Sequence, residues 1–548
     1  MVQSLLNQIW LRCRQLTTFL FTFLSTFLLA LCLCLGTGLP GITPTALAQA
    51  TSPGVSVAPI LVAEANSIQP YLDRVRDEVT RFQLENGMTF IVLERHQAPV
   101  VSFMTYANVG AVDEPDGKTG VAHFLEHMAF KGTSTIGTKD AAAEQKIFTE
   151  LDQVFAELQT NRAQPNPDPE RLSQLETKFV DLQQQASSFV IQNELNQIVE
   201  RNGGVGMNAT TSADETRYFY SLPANKLELW MSLESERFLD PVWREFYTER
   251  DVILEERRSR LENQPYAQLY NAVQDAAFSV HPYKRPIIGY EEDLLNITRQ
   301  DVQEFFEQHY GPENLTIAIV GDVDPAQVRR LAAIYFGRYE SRPQPVASIP
   351  VEPPQEAQKE VELRLQAQPW YMEAYHIPGI QDPDYVVHDI LGRLLSSGRT
   401  SRLYKSLVED QQVALGVDGY SGFPNNKYPN LMIFLALPTP DHDLDTVQTA
   451  LAQELERLKQ EPVTEVELER VKTQARAGLL RLLRSNSSLA SLLAQYEAKT
   501  GDWQNLFSYL DAIANITPAD IQRVANQALQ PNNRTVGRLL PSTPAAAP

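Results

Sequence analysis

The chain has 548 residues, 43% hydrophobic and 21% charged, close to the averages of folded globular proteins, so it buries a core rather than staying disordered. At about 150 residues per domain, that length calls for three or four domains, or for two large double-layered ones. With 47 basic against 68 acidic residues the formal net charge is -21. Such a surface repels phosphate backbones and anionic lipid, which places nucleic-acid binding last among the function classes.

Arg12 and Arg14 precede an apolar run from Leu16 to Leu35, followed by Ala46-Leu47-Ala48 as an A-x-A cleavage pattern. Residues 1–48 therefore read as an export signal, with mature protein starting near Gln49 and acting in the periplasm or another extracytoplasmic space. An apolar run of about 20 residues also suffices to span a bilayer, so an uncleaved membrane anchor is the alternative. All three cysteines, Cys13, Cys32 and Cys34, lie in this leader, so the mature chain forms no disulfide and depends on its core.

Residues 49–70 are small, apolar and proline-containing without periodicity, as in a linker. Next come Phe82-Gln83-Leu84, the turn signal Asn86-Gly87 and Thr89 to Leu93, a predicted β-hairpin, then a further strand at Val100 to Ala107. Between Lys139 and Glu200 the pattern turns helical. Ile147, Leu151, Val154, Phe155 and Leu158 form one stripe, and Leu172, Leu175, Phe179 and Leu182 another. Pro165, Pro167 and Pro169 between them predict a helical hairpin bent near Asn166, with a disordered insertion as the alternative.

Two late segments repeat. Asn296-Ile297-Thr298, Asp301, Pro312 and Asn314 recur as Asn515-Ile516-Thr517, Asp520, Pro531 and Asn533, always 219 residues apart. Each copy reads as capped helix, proline break and strand. The expected organisation is thus a duplicated pair of halves, residues 71–340 and 361–541, joined by a proline-rich linker at 341–360 and ending in a loose tail at 542–548.

The chemistry-bearing motif is His123-Phe124-Leu125-Glu126-His127. On a helix, positions three and four apart share a face, so both imidazoles can address one ion while Glu126 sits beside them, and Phe124, Leu125 and Met128 anchor the helix. Two imidazoles plus a carboxylate are the ligand types of catalytic zinc, which leaves a position open for water.

Taken with its surroundings the chain resembles the pitrilysin/insulinase family of inverted-motif zinc peptidases, especially short members related to the mitochondrial processing peptidase β-subunit. The resemblance rests on the run from Gly120 to Thr133, on Asn208-Ala209-Thr210-Thr211-Ser212, on Thr248 to Glu256, on Tyr310-Gly311-Pro312-Glu313-Asn314 and on Val320-Gly321-Asp322-Val323. It implies an α+β fold of two related halves, each an antiparallel sheet covered by helices and forming half of a clam-shell. It also implies one Zn²⁺ per chain, held by His123, His127 and Glu256, with Glu126 as general base and Glu249 as a second acidic residue supporting catalysis. By charge pattern alone the two helix glutamates would be a solvated face. Glu255, beside Glu256 but about 100 degrees around the helix, is the alternative third ligand. Asn208 and Ala209 fall on an edge strand that pairs with substrate backbone. The implied reaction is hydrolysis of peptides or unfolded polypeptides; the alternative is a non-catalytic peptide-binding or assembly subunit.

Three departures stand out. The gap from His127 to Glu256 is 129 residues, longer than usual in the family, and the predicted hairpin within 139–200 accounts for the surplus as an insertion. Where the family carries a substrate-holding Arg and Tyr in its distal half, this chain has Val408 and Leu415, which points to a homologous partner subunit supplying that pair, or to a homodimer. Phe219 stands where many relatives have a second tyrosine after Tyr218.

Overall fold

The structure is a computed structural model that describes residues 70, 72–342 and 349–542. The export signal, the three cysteines, nearly all of the first linker, residues 343–348 of the second and all but one residue of the tail lie outside the described residues.

In the first half β1 (Val79–Gln83), β2 (Thr89–Glu94) and β3 (Val100–Ala107) are followed by α1 (Val121–Met128), α2 (Ala141–Arg162), α3 (Pro169–Phe189) and α4 (Glu194–Arg201). Then come β4 (Val205–Thr211), β5 (Thr216–Pro223), α5 (Leu227–Leu239), α6 (Phe246–Arg257), α7 (Pro265–Ala277), α8 (Glu291–Asn296), α9 (Arg299–His309), β6 (Leu315–Gly321) and α10 (Pro325–Tyr335). The second half contains β7 (Lys359–Leu365), β8 (Trp370–Ile377), α11 (Tyr385–Ser396), β9 (Ala414–Phe423), β10 (Asn430–Pro438) and α12 (Leu444–Gln460). It closes with α13 (Glu465–Arg484), α14 (Asn486–Thr500), α15 (Asn505–Asn515), α16 (Pro518–Ala528) and β11 (Arg534–Pro541).

The two sheets are duplicates. Their strand orders are β1-β2-β6-β3-β5-β4 and β7-β11-β8-β10-β9, identical strand for strand once β1 is set aside. Both are antiparallel apart from one parallel pair in each, β2 with β6 and β7 with β11. The repeated helix start is a capping box in both copies: Asp301 Oδ2 accepts from the Thr298 N–H at 2.7 Å, and Asp520 Oδ2 from the Thr517 N–H at 3.0 Å. The 219-residue offset carries α9 onto α16 without a slip.

Strand alternation sends side chains to both faces of each sheet. Phe90, Val92, Phe103, Ile317 and Ile319 meet their own half's helices in the first core, while Ile91, Leu93, Met104, Tyr106, Ala318 and Val320 face the other way. That second face is covered by α14 of the other half through Leu489, Leu493 and Ala494. Reciprocally, α7 of the first half lays Leu269, Val273 and Ala277 on Met372, Ala374, Ile433, Leu435 and Leu539 of the second sheet. The contact needs Gly537 on β11, since a Cβ there would come within 2.3 Å of Val273 Cγ2. Fully burying each of the Leu, Ile, Val and Met side chains here contributes about 1.5–3 kcal/mol, so the exchanged helices are part of both cores.

The predicted helical hairpin is formed by α2 and α3. Asp140 accepts from the Ala143 N–H at 3.0 Å, and Asp168 from Glu170 and Arg171 at 3.0 and 3.2 Å, capping the two helices at their starts. Phe148, Leu151, Val154, Phe155 and Leu158 pack with Leu175, Leu182 and Ala186 in the first core; Ile147, Leu172 and Phe179 are only partly buried beside them. No helix among the described residues is long and apolar enough to cross a membrane.

Candidate metal centre

The first turn of α1 is held from outside. Gly120 takes the left-handed conformation that ends the preceding loop, at φ 89°, and the two oxygens of buried Glu114 accept the N–H groups of Gly120 and Ala122, both at 2.9 Å. Val121, Ala122, Phe124, Leu125 and Met128 are buried, so the polar residues of the motif turn toward a cleft. The His123 and His127 rings stand edge to face, 4.7 Å apart.

Phe246 of α6 stacks on Phe124 with ring centres 4.6 Å apart, and this contact brings two carboxylates to α1. Glu256 Oε2 lies 3.4 Å from His127 Nε2 and its Oε1 lies 3.9 Å from His123 Nε2. Seven residues earlier, Glu249 Oε1 meets His127 Nδ1 at 2.9 Å, and its other oxygen meets Lys131 Nζ at 2.5 Å. Glu255 points away, exposed and paired with Arg258. Beyond α6 the helix widens into a turn at Arg258–Glu262, from which Arg260 Nη1 reaches Glu256 Oε1 at 2.8 Å.

One ligand atom each from His123, His127 and Glu256 falls within 4.8 Å of the other two, the one such group among the described residues. The donor set fits a divalent zinc-type ion: two nitrogens and a carboxylate oxygen converge, and one imidazole is braced by a carboxylate on its opposite nitrogen. Burial, then His127 and Arg260, push the His123 pKa down to about 3, so that ring is neutral and able to donate a lone pair. Burial works against charge on His127 as well, yet Glu249, then Glu256 and Glu126, leave it above its ordinary value. Glu126 is raised by burial against the pull of the Thr211 hydroxyl, which donates to its Oε2 at 2.6 Å.

The group opens on a cleft of ≈ 610 Å³ whose wall includes Asn208, Ala209, Thr210 and Thr211. These belong to β4, the edge of the first sheet, bulged between Val205 and Asn208. Asn208 is exposed and Ala209 buried, and the Ala209 N–H donates to Asn208 Oδ1 at 2.9 Å.

The second half has no counterpart of this centre. The 219-residue offset sets Leu468 and Ala475 of α13 in the places of Glu249 and Glu256, and both are buried in the second core. Val408 packs on that core, whereas Leu415 on edge strand β9 is 57% exposed. Tyr218 is buried with its hydroxyl 3.1 Å from that of Tyr310, and Phe219 packs against the face covered by α14. In the sequence Thr211 and Lys131 lie within motifs that assign them no role, and nothing marks Glu114 or Arg260. Thr211 and Lys131 meet partners far along the chain, Arg260 reaches Glu256 from a widened helical turn, and Glu114 holds backbone N–H groups six and eight residues on, which no side-chain spacing announces.

A duplicated α+β fold with an inverted His-x-x-Glu-His helix facing a glutamate from another helix defines an inverted-motif metallopeptidase class. Residues 90–159 and 183–291 match the family model Insulinase (Peptidase family M16), and residues 296–475 match Peptidase M16 inactive domain. The chain belongs to this peptidase family. The first match is interrupted at 160–182, across the end of α2, the bend and most of α3. Zinc protease PqqE of Helicobacter pylori is 27% identical over 493 residues, 89% of this chain and 97% of that one. The crystal structure of a protease from Helicobacter pylori superposes with a TM-score of 0.69 at 27% identity, covering 84% of this chain and 99% of that one. The periplasmic protease PqqL from Escherichia coli shares the fold at a TM-score of 0.63 and 18% identity, over 85% of this chain but 48% of its own.

Proposed function

We propose that this chain is an exported zinc-dependent endopeptidase or oligopeptidase that hydrolyses peptides or unfolded polypeptides. One observation carries the reading: the Nε2 atoms of His123 and His127 converge on the Glu256 carboxylate in a cleft that also contains Glu126 and an edge strand. His123, His127 and Glu256 are the zinc ligands, Glu126 is the general base and Glu249 orients His127. Bound there, the ion would supply Lewis-acid polarisation of a carbonyl and a bound water of lowered pKa. The rest is done by the chain. Glu126, raised by burial, accepts the proton of the attacking water and returns it to the leaving amine. Thr211 holds its carboxylate toward the cleft. The exposed edge of β4 takes the substrate backbone as an added strand.

Glu126→Gln tests this. The variant should keep stoichiometric zinc and lose hydrolysis of an unstructured peptide by ~10²-fold or more, the scale of a general acid-base contribution. Activity surviving the substitution overturns the assignment of Glu126, and a wild-type chain without zinc overturns the function.

A partner subunit belongs to the same reading. The chain covers 48% of PqqL, so in that relative a second stretch of comparable length lies in the same polypeptide. With Val408 packed against the core and Leu415 apolar, a homologous subunit supplies the polar pair that holds substrate from the opposite side. Full hydrolytic activity of the pure, monomeric chain would refute this.

A further inference from the structure

Lys499, in the last turn of α14, has no exposed side-chain surface. Its ammonium meets Asp214 Oδ2 at 3.3 Å, Glu215 Oε2 at 3.0 Å, Asn425 Oδ1 at 2.7 Å and Asn426 Oδ1 at 2.8 Å. Asp214 and Glu215 form the turn between β4 and β5 of the first half, whereas Asn425 and Asn426 lie between β9 and β10 of the second. Further donors reach the same cluster. The Tyr283 hydroxyl donates to Asp214 Oδ1 at 2.6 Å, the Lys427 N–H to Asp214 Oδ2 at 2.9 Å, and Asn425 Nδ2 to Glu215 Oε2 at 3.0 Å and Ser212 Oγ at 2.7 Å.

Three charges held out of water are a poor source of net stability, because desolvation offsets their attraction, but moving any one of them off its partners leaves an uncompensated buried charge. What they arrange here is the turn that continues β4 past the cleft. Thr211, the last residue of β4, donates to Glu126; the Ser212 N–H donates to the Glu215 carbonyl at 2.8 Å. From the other side the Ala111 and Val112 N–H groups donate to the carbonyls of Ser212 and Ala213 at 3.1 and 2.9 Å, three and two residues before the Glu114 that anchors α1.

We propose that Lys499 is a positioning residue for the cleft, through which the half without a metal centre sets the place of β4, Thr211 and Glu126. The proposal rests on the peptidase reading above for its effect on turnover, but not for its effect on the turn. Two variants of the full chain test it. Asn425→Ala/Asn426→Ala leaves both ion pairs intact and so folds even where a charge deletion does not; Lys499→Met/Asp214→Asn/Glu215→Gln removes all three charges together. Both should retain zinc at the parental level while the amides of residues 210–215 exchange with solvent ~10-fold faster and kcat on a fluorogenic oligopeptide falls ~10–100-fold, as a misplacement of about 1 Å costs. In a Glu126→Gln background the same peptide should bind the variants more weakly. Parental exchange at 210–215 in the double variant overturns the proposal, whatever the activity. Faster exchange with kcat within twofold of the parent also overturns it. A parent that neither holds zinc nor cleaves peptide sinks the proposed function instead, and the exchange rates then decide whether Lys499 positions the turn.

Discussion

His123 and His127 stand one helical turn apart, yet their surroundings hold them differently. His123 Nδ1 is buried without a partner, whereas Glu249 fixes the opposite nitrogen of His127 at 2.9 Å. A carboxylate in that position sets the tautomer and the aim of the ring, and removing it typically costs 10–100-fold in metal affinity. Glu249→Gln should therefore loosen zinc by ~10–100-fold in chelator competition while the fold persists; an unchanged affinity would show that Glu249 serves Lys131 rather than the histidine. Elsewhere, three histidines are buried away from the centre. Burial alone lowers His309 to about 4, and burial chiefly lowers His281 and His388 to about 4 as well. Each is neutral when folded and takes a proton on unfolding, so the stability it contributes is complete above about 6.5 and is lost as pH falls toward 4. The His309 ring packs on that of Phe305, tilted by 43° with centres 4.5 Å apart, so His309→Phe should flatten the loss of unfolding free energy between pH 6.5 and 4. An acid slope equal to the parent's would contradict this.

At the scale of elements, the insertion is tied to the helix that carries the glutamates. Arg244, just before α6, is 1% exposed and bonds both oxygens of equally buried Glu144 on α2 at 3.2 and 3.3 Å. It also donates to the carbonyls of Lys131, Thr133 and Ile136 in the loop that follows α1. Asp152 of α2 accepts from the Tyr247 hydroxyl at 2.8 Å and from Arg299 Nε at 3.1 Å, and the Arg250 guanidinium lies 5.0 Å over the Phe155 ring. The base of the hairpin is thus a buttress for α6, whereas the interrupted family match falls on its far end. Glu144→Ala leaves a buried guanidinium without its counter-charge and should cost about 3–5 kcal/mol of unfolding free energy. A loss under about 1 kcal/mol, the worth of a surface pair, would place the buttress elsewhere.

For the whole molecule, the decisive feature is the exchange of α7 and α14. Each half keeps helices on one face of its sheet and borrows the cover of the other face from its duplicate. A first half expressed alone exposes Ile91, Leu93, Met104 and Val320, an apolar face of the sort that drives aggregation. Residues 68–342 and 349–542 should therefore be insoluble singly and co-purify when expressed together; a soluble, cooperatively melting first half would refute the interdependence.

Much of this was legible in the sequence because it is local. The backbone hydrogen bonds of the Asn86-Gly87 turn, the prolines between α2 and α3, and the Thr298 and Thr517 capping boxes act within a few residues of themselves, so spacing reveals them. The constant 219-residue offset likewise announced two copies of one unit. The inverted motif set three side chains on one face of one helix. What the sequence by itself could not determine is whatever depends on partners far along the chain. A resemblance, not spacing, singled out Glu256 from a highly charged helix. Only the packing of Phe246 on Phe124 turns its carboxylate toward the two imidazoles and leaves Glu255 in solvent. Thr211 reaches Glu126 across 85 residues and Lys499 reaches Asp214 across 285. The exchange of α7 and α14 was hidden for the same reason. An amphipathic stripe states that a face must be buried, not whose sheet will bury it, and with two sheets of one topology only tertiary packing distinguishes them.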